Sequence, residues 1–296
     1  SDDASDIALL GGQDTIVDSG VDQVFVTDSS VDAGVGVQLS SLEGRLLDET
    51  VNGDTANINF TVTDSSSAVL SNSDGLLGAD QINVTDDVNA SDGAALNILE
   101  NSMDAVTTSQ SADIDFTVTD TAGAVASELS ATGDELDEAN DVNVVGGTID
   151  VADAAAVQDI TRYDAVDSGY VIEDSAGSVL GDTGTILDGG VAHVDVNSIA
   201  SANVGVALGG LEDALEAGYS SDISFTVSDD ASAIAGVLAQ GDELNNADDV
   251  NVVGGTIDVA DAASVQNITA YDDIDSEYVI EDSAGSVLGD TGTILD

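Results

Sequence analysis

An internal repeat is the feature that most constrains how this chain folds. Residues 133–188 recur as residues 241–296, identical at 47 of 56 positions and displaced by 108 residues. A chain that repeats a segment of this length builds the same local structure more than once and stacks the copies on one another. The repeat therefore predicts a modular architecture rather than one globular domain around a single core.

Shorter and more divergent repeats fill the rest of the chain. One kind is a strand-like segment with an aromatic anchor, and its anchors are spaced by 56, 54, 55 and 53 residues: Phe60, Phe116, Tyr170, Phe225 and Tyr278. Segments of a second kind lie between them and begin at Ile82, Val142, His193 and Val250. The two kinds alternate, so each coil has about half the longer spacing, a length typical of solenoids.

Each coil is predicted to hold a short strand followed by a short helix. The strand segments are β-branched with alternating polarity, as in residues 60–63. Aliphatic residues at helical spacing predict helices whose apolar stripes face a sheet: Val35, Leu39, Leu42 and Leu46, and Val204, Leu208, Leu211 and Leu215. The Asp that ends each anchor strand is predicted to cap the helix that follows: Asp64, Asp120, Asp174, Asp229 and Asp282.

These patterns predict an α/β solenoid of short strand–helix coils with a parallel sheet along one side. A parallel β-helix is the alternative, if the Ala-rich pieces are turns. We expect one continuous solenoid with four segments: irregular N-terminal coils in 1–56, repeat coils in 57–132, the first long copy and its following coils in 133–240, and a truncated second copy in 241–296. Because the second copy stops where the first runs on, we expect a longer parent protein.

Composition limits the partners of this chain. Its net charge is -57, from 59 acidic residues against only Arg45 and Arg162, with no Lys and the single His193. Nucleic acid and anionic membrane surfaces require basic patches that two Arg cannot supply. No apolar run approaches the length of a membrane span, so membrane insertion is not expected. A hydrophobic fraction of 42%, mostly small aliphatic residues, nevertheless predicts an ordered core.

The side chains that usually carry catalysis are scarce. There is no Cys and no Lys, and His193 is replaced in the equivalent coils. Pairs of carboxylates spaced as in glycosidases would occur in nearly any fold of this composition, so they carry no information. We therefore predict that the chain is not an enzyme.

Metal binding has a firmer basis in the sequence. Uncompensated negative charge calls for high salt or for hard divalent cations, and Ca²⁺ takes six to eight oxygen ligands of the kind that Asp side chains and Gly-rich turns provide. The candidate ligands are closely spaced carboxylates at recurring turns: Asp14, Asp18, Asp86, Asp87, Asp134, Asp150, Asp153, Asp242, Asp258 and Asp261.

The segments YVIEDSAGSVL and FTVTDTAGAVA, with TIDVADAAAVQDI between them, resemble the degenerate repeats of very large secreted bacterial surface proteins. That class includes S-layer-like proteins and RTX-type adhesins, and Gly11–Ile16 resembles one truncated copy of the RTX nonapeptide. The resemblance implies export, a calcium-rich exterior and a structural or adhesive role. It transfers no functional residue.

The function predicted from these features is that of an extracellular, cell-surface structural protein, part of an S-layer, filament or sheath that divalent cations stabilise. Its expected partners are other copies of itself, end to end or laterally, and a cation-bridged polysaccharide is compatible with its charge. An adhesin stalk that spaces a distal binding domain is the alternative. A cytoplasmic protein of a halophile is a third interpretation, which the long repeat and the absence of Lys disfavour.

Overall fold

The computed structural model describes residues 7, 24–49, 58–106, 113–132, 136–218, 221–241, 244–273 and 275–295. The chain divides into two compact units. The first comprises residues 1–145 and 159–164, and the second comprises residues 146–158 and 165–296. The four segments predicted above follow the repeats in the sequence, whereas these two units are defined by contacts within the structure. The division into four segments therefore stays a prediction.

Strands and helices alternate along the first unit. Its strands are β1 (Val24–Phe25), β2 (Ile58–Asn59), β3 (Thr61–Asp64), β4 (Gln81–Val84), β5 (Asp113–Asp115), β6 (Thr117–Asp120) and the start of β7 (Asp141–Ile149). Its helices are α1 (Ala33–Glu49), α2 (Ser66–Ser71), α3 (Ala90–Val106) and α4 (Ala122–Thr132), with a 3₁₀ turn at Ser73–Gly75. The strands β1–β2, β3–β4–β5 and β6–β7 pair in parallel.

The second unit continues the same alternation after β7. Its strands are β8 (Gly169–Asp174), β9 (Val191–Val196), β10 (Asp222–Ser224), β11 (Thr226–Asp229), β12 (Asp249–Ile257) and β13 (Glu277–Ile280). Its helices are α5 (Val151–Gln158), α6 (Ala176–Gly181), α7 (Thr183–Ile186), α8 (Ala202–Gly218), α9 (Ala231–Leu238), α10 (Val259–Gln266), α11 (Ala284–Gly289) and α12 (Thr291–Leu295). The strands β8–β9–β10 and β11–β12–β13 again pair in parallel.

The prediction of an α/β protein with parallel sheets and alternating strands and helices is confirmed. The alternative, a β-helix in which the Ala-rich pieces are turns, is wrong because those pieces form α4, α5 and α10. Ala has the highest helix propensity, and the three segments are long enough for two turns or more. None of the described helices is both long enough and apolar enough to cross a membrane.

Three strands change their pairing partner at a buried Phe. Phe60 separates β2 from β3, Phe116 separates β5 from β6, and Phe225 separates β10 from β11. On the N-terminal side of Phe225, β10 pairs with β9, whereas on its C-terminal side β11 pairs with β12. Each Phe is at most 5% exposed, so the predicted aromatic anchors fill the core at the point where the strand switches from one neighbour to the next.

The apolar stripes predicted on the long helices are buried. Leu39 and Leu42 of α1, and Leu208 and Leu215 of α8, are at most 2% exposed. Val35 and Val204 are half-buried. The side chain of Leu46 lies outside the described residues. The helices therefore pack on the sheets through aliphatic side chains, as expected for the ordered core that the composition predicts.

Candidate functional site: carboxylates that join successive coils

The Asp at the end of each anchor strand joins two coils, a coil being one strand with the helix that follows it. Its Oδ2 accepts a hydrogen bond from the first amide of the helix that precedes the strand. The five bonds run from Ala33 to Asp64 (3.0 Å), Ala90 to Asp120 (3.0 Å), Val151 to Asp174 (3.3 Å), Ala202 to Asp229 (3.0 Å) and Val259 to Asp282 (3.4 Å). The amides at a helix N-terminus have no partner within the helix, so an anionic oxygen there satisfies a donor and complements the helix dipole.

The other oxygen of each of these Asp side chains accepts from the amide of the next residue, as in Asp229 Oδ1 from Asp230 at 2.9 Å. The N-cap of the following helix is that next residue, as shown by Ser65, Ser175 and Ser283. The prediction that the Asp itself caps the following helix is therefore wrong by one residue. In four of the five cases the strand continues through the Asp, whereas β13 ends at Ile280, before Asp282. Both oxygens of each Asp are already bonded at the joint.

In two of the more divergent repeats, another side chain accepts a hydrogen bond from the first amide of the preceding helix. Asp86 Oδ1 accepts from the amide of Ser66 at 2.6 Å, and Asp86 Oδ2 accepts from the Ser66 hydroxyl at 3.0 Å. Ser198 Oγ accepts from the amide of Ala176 at 2.9 Å. In β12, Gly255 lies close to the first amide of α9: it has a φ of +91°, and a Cβ there would lie 3.0 Å from the Ala231 amide nitrogen.

Hydrogen bonds to the charged carboxylate change the pKa of two of these strand-end Asp side chains, Asp174 and Asp282. Burial alone would raise the pKa of Asp174, but hydrogen bonds from Ser175, Ser178 and Val151 outweigh it and lower the pKa. The amide of Ser283 lowers the pKa of Asp282. Both carboxylates are therefore held in the charged form that accepts the helix amides.

A second recurring carboxyl group lies inside the protein. The helices α1, α3 and α8 each have 17 residues and carry Glu at the eleventh position, namely Glu43, Glu100 and Glu212. Glu43 Oε1 accepts from the amide of Ile58 at 3.2 Å, two residues before Phe60. Glu100 accepts from the corresponding amide of Ile114, two residues before Phe116. Glu43 and Glu100 therefore each satisfy a backbone donor next to the point where the strand changes its neighbour.

Two of these Glu side chains titrate near neutrality. Burial raises the pKa of Glu100 to about 7, and the charges of Glu138, Asp113 and Asp104 add to the effect. Glu100 is 8% exposed, and among the described residues its Oε2 is buried without a hydrogen-bond partner.

Glu212 repeats this environment in the second unit. Burial raises its pKa to about 7, with further contributions from Glu216, Asp222, Asp248 and Asp213. Its Oε2 is likewise buried with no hydrogen-bond partner among the described residues. Such surroundings favour the protonated carboxyl group, because the Oε2 of the charged form would have no hydrogen-bond donor. The chemistry available at both places is therefore uptake and release of a proton.

His193 lies between two carboxylates on neighbouring strands. Its Nδ1 is 2.7 Å from Asp222 Oδ1, and its Nε2 is 3.0 Å from Asp195 Oδ1. Burial acts to lower the pKa of His193, but the hydrogen bonds and charges of Asp222 and Asp195 outweigh it and raise the pKa. Because both ring nitrogens face carboxylates, neither is bonded to a hydroxyl nucleophile.

The predicted metal ligands have varied surroundings. Asp150 and Asp258 accept the amides of Asp153 and Asp261 three residues later, each at 2.8 Å, which is an N-cap contact. Asp87 is exposed beside Asp86. Asp14, Asp18, Asp134 and Asp242 lie outside the described residues.

In the described ranges, no three Asp, Glu or His side chains are arranged so as to hold a metal ion. The turn carboxylates with described contacts are bonded mainly to amides, as in the pairs Asp150–Asp153 and Asp258–Asp261. Calcium binding at the ten residues named in the sequence analysis stays a prediction.

The recurring Glu was not predicted from the sequence, although a signal for it exists. Aligning the three long helices on their first residues places Leu42-Glu43, Leu99-Glu100 and Leu211-Glu212 in one column. A Glu that recurs beside a buried Leu on an apolar stripe is a sign of a buried carboxyl group.

No protein-family model matches the chain, and no curated protein matches it significantly. The class of protein that the fold and its joints define is an acidic α/β repeat protein with parallel sheets.

Proposed function

We propose that the chain is an extracellular structural repeat protein, part of an S-layer, filament or sheath at a cell surface. The observation that carries this proposal is the recurrent joint, in which a strand carboxylate binds the first amide of the preceding helix in five places. At these five places an Asp side chain that recurs along the chain joins one coil to the next. A repeat protein that serves length and spacing needs such joints more than it needs a pocket.

In this proposal the coils stack as an α/β solenoid with a parallel sheet along one side. Parallel pairing between strands of successive coils and the recurrence of one joint along the chain support that arrangement. Each coil then buries its faces against its two neighbours.

Divalent cations, Ca²⁺ in particular, complete the proposal. A net charge of -57 opposes both folding and the approach of a second copy, and the carboxylates outside the joints supply hard oxygen ligands. Self-association, and bridging to acidic polysaccharide through shared cations, are the interactions proposed. Nucleic acid is not a proposed partner, since the chain has two basic side chains besides His193.

Catalysis is not part of the proposed function. The chain has no Cys or Lys, and the ring of His193 faces Asp195 and Asp222. The two groups whose pKa is raised to about 7, Glu100 and Glu212, lie on the packed faces of helices.

The test is light scattering with circular dichroism on the chelated chain, titrated with Ca²⁺, with NaCl of equal ionic strength as the control. Growth of ordered particles with Ca²⁺ and not with NaCl is the expected result. An ordered monomer at every Ca²⁺ concentration would contradict assembly and favour the adhesin stalk. Order that requires molar NaCl and ignores Ca²⁺ would favour a halophile's protein.

A further inference from the structure

His193 links two neighbouring strands at one place in the second unit. It lies on β9 opposite Asp222 of β10, and Asp195 follows two residues later on the same face of β9. The ring is held on both sides, since Nδ1 is 2.7 Å from Asp222 Oδ1 and Nε2 is 3.0 Å from Asp195 Oδ1. One imidazole therefore joins β9 to β10 and contacts a second carboxylate on its own strand.

This geometry requires a proton on each ring nitrogen. An ionised Asp accepts hydrogen bonds and donates none, whereas a neutral imidazole has only one N–H. With one N–H, a nitrogen lone pair would face a carboxylate oxygen at 3.0 Å or less on the other side of the ring. Both contacts are therefore hydrogen bonds only when His193 is the doubly protonated imidazolium.

An equivalent coil in the first unit has a side chain that does not titrate at this place. Gln81 of β4 lies opposite Asp113 of β5 as His193 lies opposite Asp222, and in both coils a buried Phe follows that Asp by three residues. Gln81 Nε2 donates to Asp115 Oδ2 at 2.8 Å. The fold therefore accepts a neutral amide here, and the contact that the amide makes does not depend on a proton of its own.

Acidic side chains face the His193 ring or its two partners from the neighbouring elements. The charges that act on the ring are those of Asp222 on β10 and Asp195 on β9. On β8, Glu173 lies opposite Asp195. On α8, which packs on β10, Glu212 is close enough to Asp222 for their charges to interact. Loss of the positive charge on the ring would therefore leave negative groups facing one another.

We infer that His193 is a proton-dependent clasp, which holds β9 to β10 while its ring is protonated and lets the pair loosen when the ring loses its proton. The second unit, residues 146–158 and 165–296, contains no Lys and no Arg, so no other side chain there can supply this positive charge. The strand β10 has three residues, so one side-chain contact is a large part of its attachment to β9. The clasp belongs to the folded chain and does not rest on the proposed assembly.

Loosening is expected as pH rises. Burial acts to lower the pKa of His193, but the hydrogen bonds and charges of Asp222 and Asp195 outweigh it and raise the pKa above 6.5. A group whose pKa is higher in the folded chain stabilises the fold below its unfolded pKa, and this contribution is lost as pH rises through the folded pKa. Glu212, whose pKa burial raises to about 7, loses its proton near neutrality as well and then repels Asp222.

The first test observes the proton on His193 directly. Because the chain has a single His, an NMR titration shows one imidazole, and the two ring nitrogens have similar shifts in the imidazolium but different shifts in either neutral tautomer. The pKa of His193 is expected to lie above 6.5 and to fall in Asp222→Asn. Asp167→Asn removes an exposed charge elsewhere in the second unit and is expected to leave that pKa unchanged.

Ionic strength is held constant throughout the titration, because salt screens half-exposed ion pairs. A pKa at or below 6.5 in the native chain would overturn the clasp. Equal pKa values of His193 in Asp222→Asn and Asp167→Asn would overturn it as well.

The second test measures the loosening by amide hydrogen exchange. His193→Gln places at this position the residue that the equivalent coil carries, so the variant is expected to fold. The protection of residues 222–224 is measured in the native chain and in His193→Gln at each pH, and the ratio of the two removes the intrinsic pH dependence of exchange. That ratio is expected to fall severalfold between about pH 5.5 and about pH 9, as the native ring loses its proton.

Residues 226–229 of β11, which pair with β12, are the control within the same samples. Their protection ratio is expected to stay constant over the same pH range. A constant ratio for residues 222–224 would overturn the inference, and so would an equal fall of the ratio in β10 and β11, because that result would show a change in the stability of the whole unit.

Discussion

Glu100 shows how a single buried carboxyl group can couple this fold to pH. Folding raises its pKa from 4.5 to about 7, so the folded chain binds a proton more readily than the unfolded chain does. Between these two pKa values the folded state holds more protons. The contribution of Glu100 to stability is therefore present below the unfolded value and is lost as pH rises through the folded one.

Substituting Glu100→Gln removes this titration. Relative to the native chain, the variant is expected to gain on the order of 1 to 3 kcal/mol of unfolding free energy between about pH 5 and pH 8, since one pKa unit corresponds to about 1.4 kcal/mol. Urea denaturation at the two pH values measures the change. Glu173→Gln removes an exposed charge and serves as the control. An equal pH dependence in both variants would contradict the role assigned to Glu100.

Asp229 shows how much one of these joints contributes to the stability of the folded chain. It accepts from the amides of Ala202 and Asp230 at 3.0 and 2.9 Å. Asp229→Ala leaves both donors without that partner and is expected to cost about 1 to 3 kcal/mol of unfolding free energy. Asp167→Ala removes the same charge from an exposed position and is expected to change stability by about 0.5 kcal/mol or less. Thermal unfolding of the two variants compares them, and equal stabilities would show that the joint contributes little.

At the scale of the element, the long helices depend on glycine where they approach the sheet. Gly36, Gly93 and Gly205 hold the same position in α1, α3 and α8. A Cβ on Gly205 would lie 2.4 Å from Val227 Cγ2 and 3.2 Å from Leu244 Cδ2. The missing side chain therefore sets how closely the helix packs on its strand.

Gly205→Ala is expected to destabilise the chain by about 1 to 3 kcal/mol, because the added methyl group overpacks a filled core. Gly210 is in the same helix, and a Cβ added there would meet no described neighbouring atom within 4 Å. Gly210→Ala is expected to stabilise by up to about 1 kcal/mol through helix propensity. Chemical denaturation gives both values, and a stabilising Gly205→Ala would contradict the close packing.

At the scale of the whole molecule, charge opposes compactness. A net charge of -57 on 296 residues raises the free energy of every compact state through self-repulsion. Screening weakens that repulsion, so Tm is expected to rise as NaCl increases from about 0.01 to 1 M, over which the Debye length falls from about 30 to 3 Å. Circular dichroism during heating measures Tm. A Tm that falls or stays constant would show that surface repulsion is not what limits stability.

The sequence by itself determined the alternation of strands and helices, the aromatic anchors and the apolar stripes. Those features depend on local periodicity, which the side chains of one segment encode without reference to any other. Leu39 and Leu208 are buried, and Phe60 and Phe225 fill the core, as their spacing predicts.

Only the tertiary structure decided what the carboxylates do. Asp64 bonds to the amide of Ala33, 31 residues earlier in the chain, and Glu43 bonds to the amide of Ile58, 15 residues later. Such partners are set by which coil lies beside which, and a charged residue in a sequence of 59 acids looks the same whether it joins two coils or faces water. The burial of Glu100 has the same cause, since neighbouring elements, and not the residues next to it in the chain, exclude water from its carboxyl group.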